Sequence, residues 1–223
     1  HVERIIDFKA HKRPILLIHG YGGTRRIFYI LEKRLVKSGH GVFSIHLGGI
    51  LDTFNTHSID WVAEKIKKKL DRLRDLYGFE EIDIIGHSKG GLIGDYLVRA
   101  LGYDKYVRTL ICLATPYQGT PWSILGLLTP LGLISKSLRQ MAPFSSFLEK
   151  LAGLRFPRNT RFVSIFSKGD WLCPYPCCIL EGPKDAKIKN IELEDINHAE
   201  FVTRKDVFKI ILNELEGTAE AAA

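Results

Sequence analysis

The stretch Gly86-His87-Ser88-Lys89-Gly90-Gly91 restricts this chain more than any other. Before it runs Ile82-Asp83-Ile84-Ile85, apolar but for one residue, and after it Leu92, Ile93, Tyr96 and Leu97 recur at helical spacing. A strand therefore turns sharply into a helix, with a serine at the apex. Strand and helix pass so close that side chains two residues either side of that serine would collide, and Gly86 and Gly90 stand there. The turn lifts Ser88 Oγ into solvent at a helix N-terminus, where the Lys89 N–H can meet a developing negative charge. The competing reading is a plain strand-to-helix turn with an incidental serine, and the context on both sides weighs against it. If the serine is a nucleophile, an acid and a histidine must follow it, and a second N–H donor must come from an earlier loop.

Other segments supply the frame. Pro14-Ile15-Leu16-Leu17-Ile18 reads as a parallel strand buried on both faces, ending in the glycine-rich His19-Gly20-Tyr21-Gly22-Gly23. A helix follows with Thr24 as N-cap, then a strand over 41–47. Ser58 or Asp60 opens a helix that runs to about Tyr77 and stops at Gly78. Val107 to Ala114, Arg161 to Phe166 and Lys187 to Leu193 complete the strands. The last helix carries Val207, Ile211 and Leu215 on one face, behind a capping-box-like Thr203-x-x-Asp206. Alternating strands and helices predict an α/β fold, a mostly parallel, doubly wound sheet of about six strands with helices on both faces. Residues 1–223 read as one domain. An insertion at about 117–157 is too apolar for a solvated loop and too broken for one helix, so it reads as two or three short helices forming a lid or cap.

Composition excludes little but is useful. Hydrophobic residues are 45% and charged residues 26%, as in an ordinary globular protein. No run approaches the roughly 20 apolar residues that span a bilayer. The chain opens at His1 with no secretory signal in view, so a trimmed or processed product is expected, and the compartment stays open between cytoplasmic and exported or membrane-associated. The net charge of +7 reads first as a solvated surface, with attraction to an anionic lipid surface or to nucleic acid as the alternatives. The basic run Lys65-Ile66-Lys67-Lys68-Lys69 lacks the interleaved aromatics of a strand-binding face, so no nucleic-acid partner is expected. Cys112 reads as a small buried hydrophobe. Cys173, Cys177 and Cys178 leave open a disulfide from Cys173 to either of the others, and too few further ligands accompany them for zinc.

Two residues answer the demand set by Ser88. Asp170 falls just past a strand end, and His198 in the loop after the next strand. In such an arrangement the histidine takes the serine proton and later returns it to the leaving group, while the aspartate holds the imidazole tautomer and stabilises the imidazolium. Asp195 is the runner-up acid and Asp185 a distant third. Among the other histidines, His87 is expected to point away from the site, His46 and His57 are candidates for the pocket wall, and His1, His11 and His40 read as surface residues. The second oxyanion donor is expected from the loop after the first strand, at the Tyr21 N–H.

Four stretches, PILLIHGYGG, IDIIGHSKGGL, LATPYQGT and SLRQMAPFSSFLEKL, resemble bacterial lipases and related lipid esterases of the α/β-hydrolase superfamily. The resemblance covers the chain from Pro14 to Leu215. It implies hydrolysis of carboxylic esters, of acyl or lipid type, through an acyl-serine on Ser88, with the Tyr21 and Lys89 amides as oxyanion hole. It implies a substrate pocket drawing on His19, Gly20, Pro116, Tyr117, Trp122 and Leu125, no cofactor and no metal. The lid reading adds peripheral contact with a lipid surface, and oligomeric state stays open. One departure is Lys89, where such lipases often carry an apolar or amide side chain. Its cation is expected either to favour anionic head groups or to pair with an acid. Thioesterase or lipid or amide deacylase activity remains an alternative, since the same three residues serve them all. A catalytically inactive hydrolase fold used as a binding module is the alternative from another class.

Overall fold

The computed structural model describes residues 8, 10, 11, 13–45, 47, 48 and 55–217. Six parallel strands form one sheet: β1 (Ile15–Ile18), β2 (Val42–Ser44), β3 (Ile82–His87), β4 (Val107–Leu113), β5 (Arg161–Ser167) and β6 (Ile188–Leu193). Their order is β2-β1-β3-β4-β5-β6. The inner strands are mostly apolar because both of their faces are covered. Successive residues separate to opposite sides: Ile15 and Leu17 join one core cluster, Leu16 and Ile18 the other. Helices α1 (Tyr29–Lys37) and α8 (Lys205–Glu216) cover the first face through Leu31, Leu35, Val207, Ile211 and Leu215. Helices α2 (Ile59–Tyr77) and α3 (Lys89–Arg99) cover the second through Val62, Ile66, Leu70, Leu92, Ile93 and Leu97. The edge strand β6 is half open to solvent, with Lys189, Asn190 and Glu192 exposed.

Several local expectations change. Thr24 accepts a hydrogen bond from Arg26 N, but it caps a 3-10 turn over Arg25–Phe28 that precedes α1. The second strand is three residues long, not seven. The Thr203-x-x-Asp206 capping box does not form: α8 begins at Lys205, Thr203 bonds back to Glu200, and Asp206 pairs with Arg204. Gly78 ends α2 at φ 69°, a left-handed cap that suits glycine. The N-terminus of α2 is capped from outside, since Ile59 N donates to Gln140 Oε1 at 2.5 Å.

The covering segment holds four short helices, one or two more than expected: α4 (Pro121–Leu127), α5 (Pro130–Ile134), α6 (Lys136–Gln140) and α7 (Ser146–Ala152). Gly126, Pro130 and Pro143 punctuate it, so no helix there exceeds two turns. Its second half is tied down. Lys136 N donates to Thr56 O, Gln140 Nε2 to Asp60 Oδ1, and Leu138, Leu148 and Leu151 enter the core. Its first half leaves Ile124, Leu128, Leu133 and Ile134 exposed. Among the described residues no helix is long and apolar enough to cross a membrane.

Candidate active site

The site lies at the carboxyl ends of the strands, where β1 and β3 are neighbours but their chains leave in opposite directions along the sheet. Ser88 sits between β3 and α3 at φ 54° and ψ −124°, a left-handed conformation rare outside glycine. The surroundings enforce it. Ser88 N donates to Leu113 O at 2.8 Å, and Thr115 Oγ1 donates to Ser88 O at 3.2 Å. A Cβ at Gly86 would stand 2.5 Å from Gly91 N, and one at Gly90 would run into the Ile18 carbonyl. These two glycines are therefore a steric requirement of the turn. The register Ile18↔Gly86 then sets Gly20 beside the serine, where an added Cβ would lie 2.9 Å from Ser88 Cβ.

The neighbouring pair β5 and β6 delivers the other two groups. Ser167 pairs with Leu193 at the strand ends, and the Ser167 hydroxyl accepts from both Gly169 N (3.0 Å) and Ile196 N (2.9 Å). One side chain thus fixes the two loops that carry Asp170 and His198. Asp170 is buried, and its Oδ1 accepts from Leu172 N and Cys173 N, each at 2.9 Å. Its Oδ2 accepts from His198 Nδ1 at 2.8 Å. Asp195 and Asp185 are exposed, and the carboxylate hydrogen-bonded to the imidazole is that of Asp170. Burial pulls the His198 pKa down, but hydrogen bonds with Asp170 and Cys173 outweigh it, and the net direction is up. No hydrogen bond joins His198 to Ser88 Oγ in this conformation; the two face one cavity. Such bonds often close only once substrate is bound.

That cavity measures about 540 Å³. Gly20, Tyr21, Pro116, Trp122 and Leu125 line it, together with Ile27, Leu138 and Met141. Three expected residues do not. His19 is buried with Nδ1 against the Gly20 carbonyl at 3.0 Å. Tyr117 lines a separate small cavity with Asp95 and Arg99. His57 stacks on Trp61 instead of lining the cavity. His46 and His1 lie outside the described residues. His11 and His40 are partly covered, not free surface residues.

Lys89 corrects a further expectation. Its backbone N–H opens α3, where no acceptor exists within the helix. Its side chain neither reaches the cavity nor meets an acid among the described residues. It is 0% exposed, and Nζ donates to Asn55 O at 2.7 Å and Asn55 Oδ1 at 3.2 Å. Ser137 Oγ of α6 donates to the same Asn55 carbonyl, so the amine links elbow, loop and cap. Burial lowers its pKa to about 7.

His87, expected to point away from the site, and Cys173, given no role there, both stand in the cavity wall. His87 points inward: its Nε2 bonds the His198 carbonyl at 2.8 Å, and the two rings lie 4.6 Å apart. Burial, with the His198 charge adding, pushes its pKa to about 3, so it stays neutral. All four cysteines are free, so neither disulfide left open by the sequence has formed. The only advance signal for Cys173 was its place three residues after Asp170. Among the described residues no cluster of metal ligands forms.

The comparisons with known proteins agree with this fold. The alpha/beta hydrolase fold family profile matches residues 13–170. Proline iminopeptidase of Lactobacillus delbrueckii subsp. lactis is 27% identical over 125 residues, 54% of this chain and 42% of that protein. Phospholipase A(1) LCAT3 of Arabidopsis thaliana is 31% identical over 99 residues, 44% of this chain and 22% of that protein. The chain thus spans less than half the length of these relatives. The mature lipase BlEst2 of Bacillus licheniformis superposes with a TM-score of 0.72 over 96% of this chain and 95% of that one, at 14% identity, a likeness of fold alone. With a profile match over most of its length, six parallel strands in this order and a serine at the β3–α3 turn, the chain belongs to the alpha/beta hydrolase fold family.

Proposed function

We propose that this chain is a serine hydrolase that cleaves carboxylic esters of acyl or lipid type. The observation that carries the reading is the 2.8 Å His198–Asp170 bond, beside a strained Ser88 that opens into the same apolar cavity. His198 takes the Ser88 proton as Oγ attacks the carbonyl carbon. The oxyanion is met by the Lys89 and Tyr21 amides, each worth about 2.7–4 kcal/mol in sites of this kind. The imidazolium, steadied by Asp170, protonates the leaving alcohol, and water then releases the acyl group by the same route. Ile27, Leu138 and Met141 suit an acyl chain, and an apolar wall with a few polar groups is the usual form of such a pocket. The exposed apolar face of α4 and α5 beside the cavity mouth suits contact with a lipid surface.

The test is hydrolysis of p-nitrophenyl esters of rising acyl length, with thioester and amide analogues alongside. Wild type is expected to turn over the esters, and Ser88→Ala to lose activity by on the order of 10⁶-fold in kcat, as for removal of a serine nucleophile elsewhere. An inactive wild type that also resists a fluorophosphonate probe at Ser88 would mean a binding module.

A further inference from the structure

The Lys89 side chain stands where an ammonium is costly. It is fully buried, stripped of water, and meets no carboxylate among the described residues. A methionine would fill the same space without that cost. What the amine adds is contacts. Both of its hydrogen bonds go to Asn55, one to the backbone carbonyl and one to the side-chain amide oxygen. The centre of the Tyr21 ring lies 5.5 Å from Nζ, within cation–π reach. We propose that the Lys89 side chain is a positioning residue, which holds the loop of Tyr21 and the α6 wall of the cavity in place against the β3–α3 turn. The proposal rests on the catalytic reading of Ser88.

Asn55 is the junction through which the amine acts. It is buried, and its Nδ2 donates to Leu47 O at 2.7 Å and Gly48 O at 3.3 Å. Its carbonyl oxygen also accepts from Ser137 Oγ at 3.2 Å, and Thr56 O accepts from Lys136 N at 2.9 Å. Lys136 and Ser137 open α6, whose Leu138 lines the cavity together with Met141, its C-cap. A chain of contacts therefore runs from the residue after Ser88, through one buried asparagine, to the wall that would face an acyl chain.

The other contact leads to the loop after β1. Tyr21 follows Gly20, where an added Cβ would meet Ser88, so this loop packs against the serine. Tyr21 lines the cavity and packs on the core. Its N–H is the second donor in the proposed reaction, and a shift of the ring carries that N–H with it. Lys89 thus serves the oxyanion twice, by its own N–H and by the hold of its amine on the residue that supplies the other. The amine itself touches no substrate. A misplacement of about 1 Å in such a site can cost about 10²-fold in rate.

The experiment measures kcat and KM for p-nitrophenyl acetate and octanoate on wild type, Lys89→Met, Asn55→Ala and the double variant, with active sites titrated by a fluorophosphonate. Lys89→Met is expected to lower kcat on both esters by about 10²-fold. It should raise KM for octanoate more than for acetate, because the α6 wall loosens. The double variant should lose no more than Lys89→Met does, since both changes cut one tie; independent roles would multiply the losses. Peptide-level hydrogen exchange should quicken over residues 18–23 and 134–142 in Lys89→Met. Leu73→Ala, in the core face of α2 and outside the cavity wall, serves as a destabilised control and should keep the wild-type kcat. A wild-type kcat in Lys89→Met, an equal loss of kcat in Leu73→Ala, or multiplied losses in the double variant would each overturn the proposal. Should Lys89→Met fail to fold, Asn55→Ala carries the test, and unchanged kcat and exchange in it would overturn the proposal too. A wild type inactive on every ester, with quicker exchange in Lys89→Met, would sink the hydrolase reading alone. An active wild type that Lys89→Met matches in kcat and exchange would sink this one alone.

Discussion

At the scale of single residues, the site depends on groups held in conformations they would not choose alone. Ser88 keeps φ 54° because Leu113 and Thr115 hold its backbone and because Gly86 and Gly90 leave room for α3 to start at once. Asp170 is held by three hydrogen bonds, two from its own loop and one from His198. Asp170→Asn keeps the shape but offers the imidazole an amide, favouring the wrong tautomer. On the proposed mechanism it is expected to lower kcat about 10⁴-fold with little change in folding, as the same exchange does in serine protease triads. Steady-state kinetics beside a circular dichroism melt checks this; an unchanged kcat would remove Asp170 from the reaction. Legibility at this scale was uneven. Ser88 could be read because glycine spacing encodes a steric need, and Asp170 because it follows a strand end. The inward turn of His87, the turn of Tyr117 away from the cavity and into the core, and the burial of the Lys89 ammonium could not, since each depends on which way a side chain leaves a known backbone.

At the scale of elements, the cap is two unlike halves. Helices α6 and α7 are bound to α2 and the core through Gln140, Ser137, Leu148 and Leu151. Helices α4 and α5 stand out with Leu128 80% and Leu133 75% exposed, and the nearby Phe144 is 91% exposed at φ 60°. A patch of this kind marks an interaction surface more often than chance exposure does. Leu128→Asp and Leu133→Asp, neither in the cavity wall, are expected to weaken binding to phospholipid vesicles while hydrolysis of a short soluble ester stays at wild-type level. Co-sedimentation with vesicles and the soluble assay measure the two separately; equal vesicle binding by wild type and variants would end the lipid-surface reading. The apolar density of this segment was legible in the sequence. Its division into a fixed and a projecting half was not, because that follows from partners in α2 and in the segment Asn55–Thr56, far away along the chain.

At the scale of the whole molecule, Lys89 records how tightly the parts are joined. Its amine meets Asn55, which Ser137 of the cap also reaches, and nothing acidic balances it among the described residues. Its folded pKa is near 7, below the usual 10.5. Between those pH values the unfolded chain binds the extra proton, so stability rises with pH through that window, and the burden is full below about 7. Lys89→Met should flatten the rise of Tm from pH 7 to 10, read by scanning calorimetry; an equal slope in both proteins would show that the amine is not the source. The sequence by itself determined the strand and helix alternation, the serine turn and the order in which serine, acid and histidine appear, because each is written in local periodicity, glycine placement or spacing. Only the tertiary structure decided that β1 and β3 lie side by side, that Ser167 binds the acid loop to the histidine loop, and that Ser88 and His198 open into one cavity. Those are contacts between residues remote in the chain, set by sheet order and close packing, and no local pattern carries them.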